Sequence, residues 1–179
     1  NFNHSSMHYW GVWHGKDNFD DYKENVGRFM VEYGFQSYPN MSTMRPYLTV
    51  VDVTFKDVME RQKSYVGNKL IIKEVTSRYG EISDIKKWIL LSQHIQAIAL
   101  KKAIQAHRLS APHCMGTLFW QLNDCWPGPS WSVIDNELNE KVLALLPTVN
   151  SLVISDYAKG TVTDVSDCIQ QAQALRIPV

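Results

Sequence analysis

The sequence has no surplus of charge: its 18 Lys and Arg balance its 18 Asp and Glu. With a formal net charge of zero it carries no electrostatic footprint for nucleic acid or an anionic membrane surface. No run approaches the roughly 18 apolar residues that a membrane span needs. The polar stretch Asn1 to Ser6 lacks the apolar core of a signal peptide. There is no initiator Met, so a longer parent chain is expected. Cysteine is scarce. Cys114, Cys125 and Cys168 are odd in number and contain no C-x-x-C pair, which argues against both a disulfide scaffold and a zinc site. The H-E-x-x-H, P-loop, G-x-G-x-x-G and G-x-S-x-G signatures are absent as well. No metal and no cofactor is therefore expected. Internal repeats and low-complexity stretches are also missing.

What is present is the composition of a globular protein, 45% hydrophobic and 20% charged. Two N-x-S/T sequons, at Asn3 and Asn40, would permit glycosylation in a secretory compartment. Five of the six Trp (Trp10, Trp13, Trp120, Trp126 and Trp131) fall in two short segments near either end of the first 135 residues. Tryptophan is used both in cores and at binding platforms, and such clusters beside turn residues suit a pocket wall.

Residues 1–27 read mostly as loop, with a short amphipathic piece at Phe19 to Tyr22. Residues 28–33 form an apolar run ended by Gly34, a buried strand whose end carries a carboxylate. Pro39 and Pro46 bracket a loop, and residues 54–64 read as a short polar helix. The spacing of Ile85, Trp88, Ile89, Ile95, Ile98 and Ala99 predicts a helix over 84–108, with Ser83 as its N-cap and Pro112 beyond its end. Residues 115–122 read as a second buried strand, ended by Asn123, Asp124 and Pro127. Strand, helix, strand is the order of a parallel α/β sheet or barrel. After Asp135 the texture changes: residues 137–146 look helical, 151–155 look like a strand, and 164–175 look like a helix capped by Thr163.

Three segments offer chemistry. In FMVEYGFQSYP (29–39), Glu32 sits at the C-terminal end of an apolar strand, where barrel enzymes place catalytic groups. The alternative is a loop-capping or ion-pairing carboxylate. In FWQLNDCWP (119–127), Trp120 stands beside Asn123 and Asp124, an aromatic face next to amide and carboxylate groups that suits the C–H face and hydroxyl edges of a sugar. The alternative is a core Trp followed by a turn-forming Asn-Asp pair. In HYWGVWH (8–14), His8 and Trp10 are placed to contact a leaving group or sugar hydroxyls. The neighbours His113 and Cys114 point opposite ways in a strand and do not make a catalytic pair.

These three segments, in this order, resemble the last part of the (β/α)8 barrel in the β-mannosidases of glycoside hydrolase family 2. HYWGVW resembles the end of barrel strand six, VEYGFQSYP the nucleophile segment on strand seven, and MGTLFWQLNDCWP with SWSVID (130–135) strand eight and its exit. The resemblance covers about residues 7–135. It implies a partial TIM barrel, made of the last strands and helices, and a retaining mechanism on a β-mannoside or related oligosaccharide. Glu32 would be the nucleophile, and a second carboxyl group about 5–5.5 Å away would be the acid/base. That group, a Glu directly after an Asn near strand four, has no match here, since the reversed pair Glu24-Asn25 lies in the wrong region. Trp120 would be the platform under the sugar, with His8 and Trp10 approaching from strand six and Tyr33 placed to position the nucleophile. Asn123 and Asp124 would complete the wall. A parent of this family would be lysosomal, secreted or periplasmic.

From about residue 140 the sequence instead resembles a segment of ribokinase-type sugar kinases, close to the heptose-phosphate kinases, without their later Gly-Ala-Gly-Asp segment. Residues 136–179 are thus expected to be an α/β segment of different origin, a chimeric tail. A barrel of this type has eight strands in about 250 residues, and three strands alone leave parallel edges unpaired. Low autonomous stability, or association through those edges, is expected, with the N-terminal barrel half as structural partner and no activity for the chain alone. The alternatives are a carbohydrate-binding or structural piece without catalysis, or another family 2 activity such as a β-galactosidase.

Overall fold

The computed structural model describes residues 2–135 and, further along, residues 169, 170, 173, 174 and 176. It is a mixed helix and strand structure. Two strands, β1 (Ser6–His8) and β2 (Phe29–Glu32), run parallel and pair Ser6 with Phe29, Met7 with Met30 and His8 with Glu32, with an irregularity between Met7 and His8. Between them lie a one-turn helix α1 (Gly11–His14) and a 3-10 turn at Phe19–Tyr22. Asn18 opens that turn in a capping box with Asp21, so two backbone donors are satisfied reciprocally.

The segment 115–120 runs along the other side of β2 in the same direction. Its links are Met115 N to Arg28 O (2.8 Å), Met30 N to Gly116 O (2.9 Å), Leu118 N to Met30 O (2.7 Å) and Trp120 N to Tyr33 O (2.8 Å), and Met30 and Thr117 form a parallel bridge. The expected strand–helix–strand order is therefore present. The expected second buried strand is not: the segment pairs irregularly, and Met115 and Leu118 are 70% and 53% exposed. Among the described residues its backbone finds a neighbour on one side only, so one edge and the outward side chains meet solvent.

The connection from β2 to this segment carries α2 (Met41–Met44), a 3-10 turn at Arg45–Tyr47, α3 (Phe55–Met59), α4 (Lys69–Tyr79) and α5 (Ile85–Leu109). α5 has 25 residues and is about 37 Å long at 1.5 Å per residue. Its buried stripe includes Trp88, Ile89, Ser92, Ile95, Ala99 and Ala103, the helical spacing read from the sequence. The cap is Asp84, not Ser83: the Asp84 carboxylate accepts from Lys87 N at 2.9 Å. The polar helix expected over 54–64 is confined to α3, started by a capping box of Thr54 and Asp57. α1, α2, α4 and β1 are elements the sequence reading left as loop or unassigned.

The core is dense in aromatics. Trp13, Tyr22, Tyr33, Phe35, Tyr38 and Met30 are fully buried, and Phe35 packs edge-on against both Trp13 (4.9 Å between ring centroids) and Phe19 (5.0 Å). Such edge-to-face pairs are preferred because the positive ring edge meets the negative ring face. Gln96 of α5 ties the helix to the sheet end, its amide nitrogen donating to the carbonyls of Phe35, Ser130 and Ser132. No described helix is long and apolar enough to cross a membrane. The helix and strand expected at 137–146 and 151–155 lie outside the described residues. Of the expected helix at 164–175, residues 169, 170, 173 and 174 are described, and they are helical.

Candidate active site

β2 ends where its hydrophobic run ends, and its last residue is Glu32. Because β1 pairs with β2 in register His8 to Glu32, the end of β1 is delivered to that carboxylate. His8 Nδ1 lies 3.2 Å from Glu32 Oε2. The chain continues from β1 directly into Tyr9, whose backbone nitrogen donates to Glu32 O at 2.8 Å, and into Trp10, whose Nε1 donates to the same Oε2 at 3.2 Å. The Glu32 side chain is 24% exposed and that of His8 58%, so the carboxylate is sheltered but reachable.

Aromatic rings form the wall beside it. Trp10 packs edge-on against Trp131 at 6.0 Å and lies 5.4 Å from His14. Trp131 also packs against Trp13 at 5.7 Å. His14 stacks nearly parallel on the exposed Tyr65 at 5.1 Å, and burial holds the His14 imidazole below the usual histidine range. Trp131 is carried here by an antiparallel bridge between Ser37 and Ser130. Gly34, two residues past Glu32, permits the approach of the neighbouring segment: a Cβ there would stand 2.2 Å from the Trp120 carbonyl oxygen. The peptide bond after Trp120 is cis.

Of the residues singled out from the sequence, Glu32, His8 and Trp10 come together directly. Trp120 joins through its backbone, beside Tyr33 and Gly34. Tyr33 does not turn to Glu32. Successive residues of a strand face opposite ways, and its buried hydroxyl pairs with Thr117 Oγ1 at 2.8 Å while its ring packs on His107 at 4.7 Å. Burial raises its pKa. Asp124 is engaged elsewhere too. It is buried, paired with Lys63, and accepts from Ser130 Oγ at 2.5 Å and Cys125 N at 2.8 Å. It therefore holds the turn at 124–132 together. Asn123 bridges Ile134, and its buried Nδ2 has no hydrogen-bond partner among the described residues.

A cleft of about 670 Å³ lies between α5 and the 124–135 segment, lined by Tyr38, Gln93, Leu100, Asp124, Trp126 and Ile134 among others. Neither Glu32, His8 nor Trp10 lines it. Its buried carboxylate, Asp124, is neutralised by Lys63. The cleft and the surroundings of Glu32 are thus separate places on the molecule. Three site neighbours were not singled out as site residues from the sequence: Trp131, His14 and Tyr65. Trp131 and His14 stand inside motifs the sequence flagged, whereas Tyr65 carried no signal. Among the described residues no group of three or more His, Cys, Asp or Glu could hold a metal ion.

Comparison with known proteins gives a consistent answer. No family model matches the chain. It is 31% identical over 142 residues to β-mannosidase B of Emericella nidulans, and 30% identical over 142 residues to β-mannosidase B of Aspergillus niger. Each match covers 75% of this chain and 17% of the relative. Among solved structures, the crystal structure of a β-D-mannosidase from Dictyoglomus thermophilum matches with a TM-score of 0.69 and 36% identity, over 74% of this chain and 17% of that one. The chain thus spans about a sixth of the length of the relatives it matches, and it contains a β-mannosidase-like region.

Proposed function

We propose that this region is the nucleophile side of a retaining β-mannosidase site, built on the last strands of a (β/α)8 barrel, with residues 136–179 as a separate segment. The observation that carries the reading is the placement of Glu32. A carboxylate at the C-terminal end of a parallel strand, held by the Trp10 indole, with His8 beside it and Trp rings at its border, suits attack on a sugar carbon. A retaining glycosidase also needs a carboxylic acid about 5–5.5 Å from the nucleophile. This reading places that acid in the preceding part of the barrel, which is the structural partner it calls for. The chain alone then hydrolyses no β-mannoside.

Azide rescue tests the mechanism. Residues 1–135 are joined to the preceding barrel portion of a β-mannosidase relative, and Glu32→Ala is offered dinitrophenyl β-mannoside with azide. The expected product is α-mannosyl azide, because azide occupies the space of the missing carboxylate and the leaving group needs no proton. A folded joined protein whose activity is untouched by Glu32→Ala would overturn the reading. The exposed stack of Tyr65 on His14 favours one second reading, a sugar-binding surface without catalysis. Mannose-dependent Trp fluorescence with no turnover by the joined protein would support it.

A further inference from the structure

The backbone on either side of Tyr65 is held in place. Lys63 is paired with the buried Asp124. Ser64 Oγ accepts from the indole of the fully buried Trp13 at 3.2 Å and from Val66 N at 3.3 Å. Gly67 N donates to Ser64 O at 2.9 Å. Yet the ring carried by this fixed turn is 85% exposed. A single exposed ring is ordinary; this one is set apart by its place in a row. The Trp10 indole donates to Glu32 Oε2 at 3.2 Å, His14 lies 5.4 Å from Trp10, and Tyr65 caps His14 at 5.1 Å with 10° between the ring planes. Exposure rises along the row, from the partly buried Trp10 to the exposed His14 and Tyr65, so the row runs outward from Glu32 to solvent.

We propose that Tyr65 is the platform for a second sugar, the pyranose on the leaving-group side of the scissile bond. The proposal rests on the reading of Glu32 as nucleophile and deepens it by assigning a substrate class, β-mannosides whose leaving group is itself a sugar. A terminal mannose with its anomeric carbon at Glu32 fills the place beside the Trp rings. The rest of the substrate hangs from that same carbon through the leaving oxygen, and a remainder of one or more sugars must extend toward solvent. Tyr65 stands on that path. His14 covers one face of its ring, so a single apolar face is offered. A pyranose has a matching face of C–H groups and an edge of hydroxyls. Stacking the face on the ring leaves the edge in water, so no hydroxyl is buried without a partner. A tyrosine has two side-chain torsions, and this ring is already stacked, so little freedom is lost when the ligand arrives. A small leaving group such as fluoride does not reach the platform and gains nothing from it.

Two arms test the platform. In the first, the aromatic protons of the 179-residue chain are saturated in the presence of β-1,4-mannobiose, and transfer to the sugar C–H protons is followed by NMR. Transfer should fall about twofold or more in Tyr65→Ala and persist in Tyr65→Phe, which keeps the ring. In the second, residues 1–135 joined to the preceding barrel portion are assayed on β-1,4-mannobiose and on β-mannosyl fluoride. Loss of one aromatic stack should lower the ratio of the two kcat/KM values, mannobiose over fluoride, about tenfold in Tyr65→Ala. Tyr65→Phe should keep the ratio. Transfer that is absent, or equal in Tyr65→Ala and the unmutated chain, would overturn the platform, as would an unmoved ratio in an active joined protein. A joined protein that hydrolyses neither substrate fails the nucleophile reading instead, and the transfer then shows by itself whether Tyr65 holds a sugar.

Discussion

Nδ1 of His107 lies 2.8 Å from Oγ1 of Thr117, and that same hydroxyl oxygen is met by the Tyr33 hydroxyl. This contact joins the end of α5 to the segment beside β2, on the side of the strand away from Glu32. It ties the sheet that presents the candidate site to the helix that supports it.

Burial pushes the His107 pKa down from 6.5 to about 4. The folded state therefore refuses a proton that the unfolded chain takes up between those values. Stability is fully present above pH 6.5 and falls as the pH drops toward 4, with a slope of at most about 1.4 kcal/mol per pH unit from this one group. Urea midpoints at pH 7.5, 6 and 5 check it. The midpoint should fall with pH, and His107→Gln should flatten that trend. Equal midpoints across the range in the unmutated chain would contradict the assignment.

The close approach of Gly34 to Trp120 makes that glycine hard to replace. A methyl group at 2.2 Å from a backbone oxygen cannot be relieved by a side-chain rotation. Gly34→Ala should cost about 1–3 kcal/mol, the usual penalty for overpacking, and should displace the Trp120 segment. Thermal melts and near-UV circular dichroism, which reports Trp packing, would show both effects.

Asp84 and Ser83 are adjacent residues of the same cap-forming class, yet only Asp84 accepts from the helix backbone. Asp84→Ala should lower stability by about 1 kcal/mol, and Ser83→Ala should leave it unchanged. Denaturant titrations of the two single variants separate the cases, and equal losses would refute the assignment.

Asp124 depends on Lys63. The carboxylate is 7% exposed and the amine 28%, so Lys63→Met strands a charge in a poorly solvated place. A loss of about 3 kcal/mol is expected, largely recovered in the double variant Lys63→Met with Asp124→Asn. No recovery in the double variant would mean that Asp124 is held by Ser130 and the backbone alone.

Where a signal was local, the sequence was legible. The apolar run 28–33 marked β2 and placed Glu32 at its end, and the repeat of Ile85, Trp88, Ile89, Ile95 and Ala99 marked α5. α4 escaped because the adjacent Ile71 and Ile72, with Val75 and Thr76, are β-branched and weaken a helical reading. β1 is three residues long and exists through its pairing with β2, which no local pattern reveals. The motifs brought Glu32, His8 and Trp10 to attention together. The turning of Tyr33 toward Thr117, the pairing of Asp124 with Lys63 and the arrival of Trp131 beside Trp10 each depend on contacts between residues 61 to 121 positions apart, beyond the reach of spacing or composition.

The central claim is that Glu32 is a glycosidase nucleophile, and covalent trapping tests it most directly. Residues 1–135 joined to the preceding barrel portion of a β-mannosidase relative would be incubated with 2-deoxy-2-fluoro-β-mannosyl fluoride, digested and mapped by mass spectrometry. The account predicts one fluoromannosyl group on the peptide containing Glu32 and none when Glu32 is Gln. A folded joined protein labelled at another residue, or left unlabelled while the intact relative is labelled, would contradict it.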